Sequence, residues 1–177
     1  MLAKGKGLQI PKPKVVSSSM QGKNIATYKS CKEDRLHSLN LAPDCENFIS
    51  ADDNRIDLWN IEKTNCSVYN LIDYERRNSN QEEERINSAV FNPTGGSVFM
   101  YTTSEGKINV CDLRESSDFH TRPSLQFQAK NSANSWNAKE LYSVSEAKFV
   151  PNSSFIASRD YMGVKLWDLR TASSLCK

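Results

Sequence analysis

Apolar and polar residues alternate with period two in short segments from Leu39 onward, and the segments recur in the same order three times. Successive side chains of an extended strand point to opposite faces, so such alternation over four to eight residues predicts half-buried strands. The first unit places strands at residues 39–43, 48–53 and 55–61, the second at 89–93, 98–101 and 107–114, and the third at 147–151, 155–160 and 164–170. Pro, Gly, Asn and Asp fill the gaps, as turns require. A weaker fourth strand follows at 67–72 in the first unit and 125–128 in the second, while the third reaches Lys177 before a fourth can form. Polar insertions at 74–85 and 129–140 lengthen the repeat, and Glu82-Glu83-Glu84-Arg85 is expected as a solvated loop, with the start of a short helix as the alternative.

Each unit carries large apolar residues on both faces, so none can be stable alone and neighbours must stack. The third strands share one pattern: Ile56-x-Leu58-Trp59-Asn60-Ile61, Ile108-x-Val110-Cys111-Asp112-Leu113 and Val164-x-Leu166-Trp167-Asp168-Leu169. The interval from the proline to the Trp or Cys is 16, 18 and 16 residues. Ile-x-Leu-Trp-Asp is the signature of WD40 repeats, four-stranded blades that close radially in rings of roughly 4 to 8. The fold expected is therefore all-β, a partial WD40 β-propeller of about three blades. Trp59, Cys111 and Trp167 are its expected structural anchors, with Asp112 and Asp168 ending their strands. At the second unit cysteine removes both the volume and the indole donor, so that blade must be built differently. Three blades do not close a ring, which predicts exposed apolar and strand-edge surface at both ends.

Composition narrows the chemistry. The 177 residues are 38% hydrophobic and 25% charged with a formal charge of +2, and 23 Ser and 16 Asn replace aliphatic bulk, in keeping with many turns. Residues 1–33 read as a basic, extended lead-in: seven lysines precede the first carboxylate, Glu33, while Pro11, Pro13 and the Ser17-Ser18-Ser19 run oppose a helix. A solvated tail or linker is the expectation there, and a nucleic-acid arm would carry arginine and more aromatics than Tyr28. Residues 34–177 hold the three units, at about 34–85, 86–140 and 141–177. Five cysteines without a CxxC pair predict reduced thiols rather than a disulfide framework or zinc site. No run of apolar residues reaches a membrane span and no signal-peptide core is present, so the expectation is an intracellular protein of the cytosol, with the nucleus as a second compartment.

Catalytic constellations are missing from the sequence: no GxSxG, P-loop, GxGxxG or HxxxH occurs. His37 is expected as a satisfied blade histidine and His120 as a solvated loop residue. The Asp52-Asp53 pair has no further ligands nearby in sequence, so neither a metal nor a cofactor is expected. The chain reads as a non-enzyme that acts through protein contacts.

A narrower resemblance rests on three ordered matches. Ser50-Ala51-Asp52-Asp53-x-Arg55-Ile56-x-Leu58-Trp59, the cysteine blade Lys107-Ile108-Asn109-Val110-Cys111-Asp112-Leu113-Arg114, and Arg159-Asp160-Tyr161-x-x-Val164-Lys165-x-Trp167-Asp168-Leu169 resemble the WD40-class regulatory B subunits of protein phosphatase 2A. The likeness covers about residues 35–170. It implies a seven-bladed propeller of which this chain is a fragment holding the middle blades, and a regulatory role. The family's partners would be the phosphatase 2A scaffold and catalytic subunits, with phosphoprotein substrates whose basic flanks meet an acidic groove, and no nucleic acid or membrane. Asp53, with Asp52 beside it, falls at the implied substrate-binding position, and a turn-capping role for the same acid stands as an equal reading. Asp34 and the 81–83 loop depart from the family pattern toward a more acidic, less apolar surface. A WD40 interaction scaffold unconnected with phosphatase would show the same anchors.

Overall fold

The computed structural model describes residues 22–29, 35–63, 67, 69–74, 84–115, 123–128 and 142–171. Most of the basic lead-in, His120, three of the cysteines and the bodies of both insertions lie outside them. The described residues form eleven strands in three antiparallel sheets. Blade 1 is β1 (Ser38–Leu41), β2 (Asn47–Ala51), β3 (Arg55–Asn60) and β4 (Tyr69–Asp73). Blade 2 is β5 (Ile86–Phe91), β6 (Val98–Thr103), β7 (Lys107–Asp112) and β8 (Leu125–Gln128). Blade 3 is β9 (Glu146–Phe149), β10 (Phe155–Arg159) and β11 (Val164–Asp168). In each the spatial order follows the chain, the meander of a propeller blade.

The ends of the strands differ from the sequence expectation for local reasons. Pro43, Pro93 and Pro151 lack an N–H for the ladder and fall outside the first strands. β5 begins at Ile86, earlier than its alternation suggests, because a bulge between Ile86 and Ser88 breaks the period there. The polar stretch expected as an insertion from residue 74 starts with a packed residue: the Tyr74 ring meets Tyr101 edge-on at 6.4 Å.

Register fixes which side chains share a face. Trp59 pairs with Phe48, Cys111 with Phe99 and Trp167 with Ile156. These pairs point toward the preceding blade, a side here termed the leading face. Ile49, Ala51, Ile56 and Leu58 on the trailing face of blade 1 pack with Ala89, Phe91, Phe99, Tyr101 and Cys111 of blade 2. Met100, Ile108, Val110 and Phe127 of blade 2 pack in the same way with Ala147, Phe149, Ile156 and Trp167 of blade 3. Each large side chain so buried contributes about 1.5–3 kcal/mol. Polar bonds lock the stack near its inner strands. Asn40 Oδ1 accepts the Phe91 N–H at 2.9 Å, and Asn87 Nδ2 donates to the Val144 carbonyl at 2.8 Å.

The two outer faces have no neighbouring blade among the described residues. Leu39 and Leu41 are 70% and 61% exposed on the leading face of blade 1, and Val164 and Leu166 are 76% and 66% exposed on the trailing face of blade 3. Trp59 lies on the open leading face and is nevertheless only 3% exposed. The reason is the lead-in. Tyr28 sits edge-on against Phe48 at 5.0 Å and Trp59 at 5.9 Å, and its hydroxyl donates to the Ile61 carbonyl at 2.6 Å. Of residues 22–29 six are exposed, and Tyr28 is half-buried against blade 1.

Candidate functional site

The turns between second and third strands all lie on one rim, and on blade 1 this turn is residues 52–55. Asp52 is buried and Oδ1 accepts the N–H groups of Asn54 at 2.8 Å and Arg55 at 2.6 Å. Its backbone N–H bonds the Arg55 carbonyl. The turn cap is thus Asp52. Asp53 points outward with 39% of its side chain exposed, and Oδ1 lies 2.6 Å from His37 Nε2. Asp52, not Asp53, accepts the turn's N–H groups, and the Asp52 carboxylate is turned inward onto these donors. The Trp59 indole donates to Ser50 Oγ at 2.8 Å, and Trp167 to Ser158 Oγ at 2.8 Å.

The same cap recurs on blade 3, where Asp160 Oδ1 accepts from Met162 and Gly163 at 2.9 and 2.8 Å. Burial opposes ionisation of Asp160, but the Lys165 ammonium at 2.5 Å and these N–H groups outweigh it and lower its pKa. Asp53 corresponds to Tyr161 on that blade, which is 80% exposed. Blade 2 uses Gly106, at φ 79°, to make its turn. A Cβ there would come within 2.7 Å of the Tyr142 carbonyl oxygen.

Charges concentrate on this rim. Arg55 lies 3.6 Å from Asp57 and 3.9 Å from Asp73, all three largely buried. Lys107 Nζ reaches Glu105 at 2.7 Å and Glu84 at 3.2 Å. Burial pulls its pKa down, and the hydrogen bonds and charges of the two glutamates more than reverse that, leaving it raised. Arg55, Lys107 and Lys165 are thus held in ion pairs, while Asp53 remains half-open to solvent. A surface carboxylate in that setting attracts cationic peptide side chains and speeds their encounter more than it tightens the final complex.

Asp112 and Asp168 lie at the opposite ends of their strands, about 17 Å away along a six-residue strand. Each forks with an arginine two residues on: Arg114 to Asp112 at 2.6 Å and Arg170 to Asp168 at 2.9 Å. The side-chain bonds of Arg114, then its backbone N–H, lower the Asp112 pKa to about 2. These acids are structural turn residues and do not join the Asp53 rim. Trp59 and Cys111 are buried and Trp167 is half-buried at matching positions of the three third strands.

Blade 2 shows how the cysteine is accommodated. Register aligns Tyr101 with Ser50 and Ser158, so the bulk lost from the third strand returns on the second. Tyr101 is 1% exposed beside Cys111, and its hydroxyl is 3.5 Å from that of Tyr74. The missing tryptophan is plain in the sequence, but the tyrosine ten residues earlier that replaces its volume is visible only once the strands are aligned. The Asp53 partnership of His37 is likewise hidden, since spacing alone does not bring residues 37 and 53 together.

Among the described residues no group of three or more His, Cys, Asp or Glu side chains could hold a metal ion. No helix there is long and apolar enough to cross a membrane.

No family model matches the chain. Curated relatives do. Over 164 residues it is 35% identical to the protein phosphatase PP2A 55 kDa regulatory subunit of Drosophila melanogaster, covering 92% of this chain and 32% of that protein. Identity to the serine/threonine-protein phosphatase 2A regulatory subunit sur-6 of Caenorhabditis elegans is 32% over 167 residues, 94% of this chain and 34% of the relative. The B beta isoform of the 55 kDa regulatory subunit of Arabidopsis thaliana serine/threonine protein phosphatase 2A is 36% identical over 148 residues, 82% and 29% of the two chains. The chain thus spans about a third of the length of the relatives it matches. Three stacked blades, a cysteine blade among them, and this identity over nine-tenths of its residues make the chain similar to a stretch of the 55 kDa regulatory subunits of protein phosphatase 2A.

Proposed function

We propose that the chain is a regulatory component of serine/threonine protein phosphatase 2A, without catalytic activity of its own, that directs the catalytic subunit to substrates through propeller surface contacts in the cytosol. The observation that carries this reading is the identity to 55 kDa regulatory subunits over nearly the whole chain. In it, the scaffold and catalytic subunits of the phosphatase are the partners, and phosphoproteins with basic flanks are the substrates. Asp53 is the residue assigned to substrate. It is a part-exposed carboxylate, with Glu105 and Glu146, of a rim where Arg55, Lys107 and Lys165 are paired, whereas Asp52 is assigned to the turn.

The test is binding of the purified chain to an immobilised heterodimer of the scaffold and catalytic subunits. Saturable binding is the expected result. Binding to unrelated helical-repeat proteins with equal affinity, or no binding to the heterodimer, would overturn the reading in favour of a generic interaction scaffold.

A further inference from the structure

One contact on the rim joins a group that changes charge near neutral pH to the carboxylate assigned to substrate. His37 Nε2 lies 2.6 Å from Asp53 Oδ1, with 27% and 39% of the two side chains exposed. The backbones of both residues are tied down. The His37 N–H donates to the Ala51 carbonyl at 2.8 Å, which places the ring at the head of β1, and the Asp53 carbonyl accepts the Ile86 N–H of blade 2 at 2.8 Å. The Asp52 cap and the Tyr74 N–H, donated to the Asn54 carbonyl at 2.9 Å, hold the rest of the turn.

An ionised carboxylate only accepts hydrogen bonds, so the neutral imidazole carries its proton on Nε2 and donates it to Oδ1. Nδ1 is then unprotonated and has no hydrogen-bond partner among the described residues, so taking up a second proton there breaks no bond. Uptake changes the pair from one net negative charge to none. The charged neighbours on the same elements are Asp52 and Arg55 of the turn and Arg35 ahead of β1. From blade 2, the bond to Ile86 brings up Glu84 and Arg85, with Glu105 and Lys107 beside them. Carboxylates, lysines and arginines ordinarily keep their charge between about pH 5.5 and 8, the range in which imidazole titrates. Sister blades show that the position does not need an imidazole for packing. Six residues before their prolines, where blade 1 has His37, blades 2 and 3 have Asn87 and Ser145. Asn87 donates to Ser143 Oγ and the Val144 carbonyl, Ser145 to the Arg159 carbonyl, and neither side chain can take a charge.

We propose that His37 is a positioning residue of the Asp53 contact, and that its protonation weakens the capture of cationic peptide segments there. The inference rests on the assignment of Asp53 to substrate and adds to it a dependence on pH. With a neutral ring, the Nε2–H bond holds Oδ1 in place and leaves Oδ2 and the full negative charge to a lysine or arginine of the peptide. With a charged ring, the imidazolium already neutralises Asp53 through a charge-assisted bond, and a peptide cation has to compete with it. Two cations then share one carboxylate and repel each other. Binding therefore weakens as pH falls through the imidazole range, and by reciprocity a bound cation opposes protonation of His37.

The experiment is fluorescence anisotropy of a rhodamine-labelled, unphosphorylated, lysine-rich peptide titrated with the 177-residue chain at about pH 7.8 and about pH 5.8, at one low ionic strength. The parent is expected to bind about three- to fivefold more weakly at the lower pH. His37→Gln keeps an amide donor near the Nε2 position and cannot take a charge, so its affinity is expected to match the parent's at the higher pH and to stay there at the lower. Asp53→Asn is expected to bind weakly at both. A parent insensitive to pH, or a His37→Gln variant that keeps the parent's pH dependence, overturns the proposal, while weak binding by Asp53→Asn leaves the Asp53 assignment standing. Asp53→Asn with the parent's affinity at the higher pH overturns that assignment and the proposal with it. Proton NMR of the parent reads the same coupling without a variant: saturating peptide is expected to move the titration of the His37 ring protons to lower pH, and an unmoved titration overturns the proposal.

Discussion

At residue 111 a thiol occupies the place where two sister blades hold an indole, and Tyr101 fills the space from the neighbouring strand. Cys111→Trp is expected to overpack blade 2 and cost about 1–3 kcal/mol in denaturant unfolding. Adding Tyr101→Ser, which recreates the Trp–Ser pair of blades 1 and 3, is expected to recover part of that loss. A double variant less stable than the single would contradict the volume exchange. The two adjacent aspartates separate in the same assay. Asp52→Ala strips the acceptor from two turn donors and is expected to cost about 1–3 kcal/mol. Asp53→Ala breaks only a half-exposed pair with His37 and is expected to cost less than about 1 kcal/mol. Asp112 gives a pH signature. Its folded pKa of about 2 lies below the ordinary value of 3.8, so its contribution is present above about pH 4 and is lost as pH falls toward 2. The stability difference between the parent and Asp112→Asn is expected to be constant above about pH 4 and to shrink below it.

Among the elements, the turns are the least legible part of the chain. Short, largely apolar segments bounded by turn residues locate all eleven strands, because both faces of each blade bury side chains. It misplaces the start of β5, where a bulge resets the period, and the start of the apparent loop at Tyr74, whose ring is used by the blade 1–2 interface. The β6–β7 turn depends on Gly106, and Gly106→Ala is expected to cost more than about 1 kcal/mol because the positive φ and the Tyr142 carbonyl both oppose a side chain. An unchanged melting temperature would show that the turn can relax. Of the candidate site, the sequence points to the right pair of acids but cannot divide them. Which carboxylate turns inward is decided by the backbone donors of Asn54 and Arg55, and which is held at the surface by His37 reaching across from the start of β1.

For the whole molecule, the anchors turn the same way in all three blades, which makes the stack directional. One end presents a groove and the other a set of apolar side chains, with a rim between them that carries Asp53, the ion-paired Arg55, Lys107 and Lys165, and the exposed Arg159. Asp53 lies on the rim of the turns between second and third strands, while on the opposite rim Asp112 and Asp168 are held in arginine forks and Asp44, Glu46, Glu62 and Glu115 are exposed. The most direct measurement is the kcat/KM of the purified scaffold–catalytic heterodimer for a phosphopeptide with basic flanks, with and without the chain. The account predicts a several-fold increase with the chain that Asp53→Lys abolishes, and recovery when the peptide flanks are made acidic. No change on adding the chain, or an increase indifferent to the charge at residue 53, would contradict it.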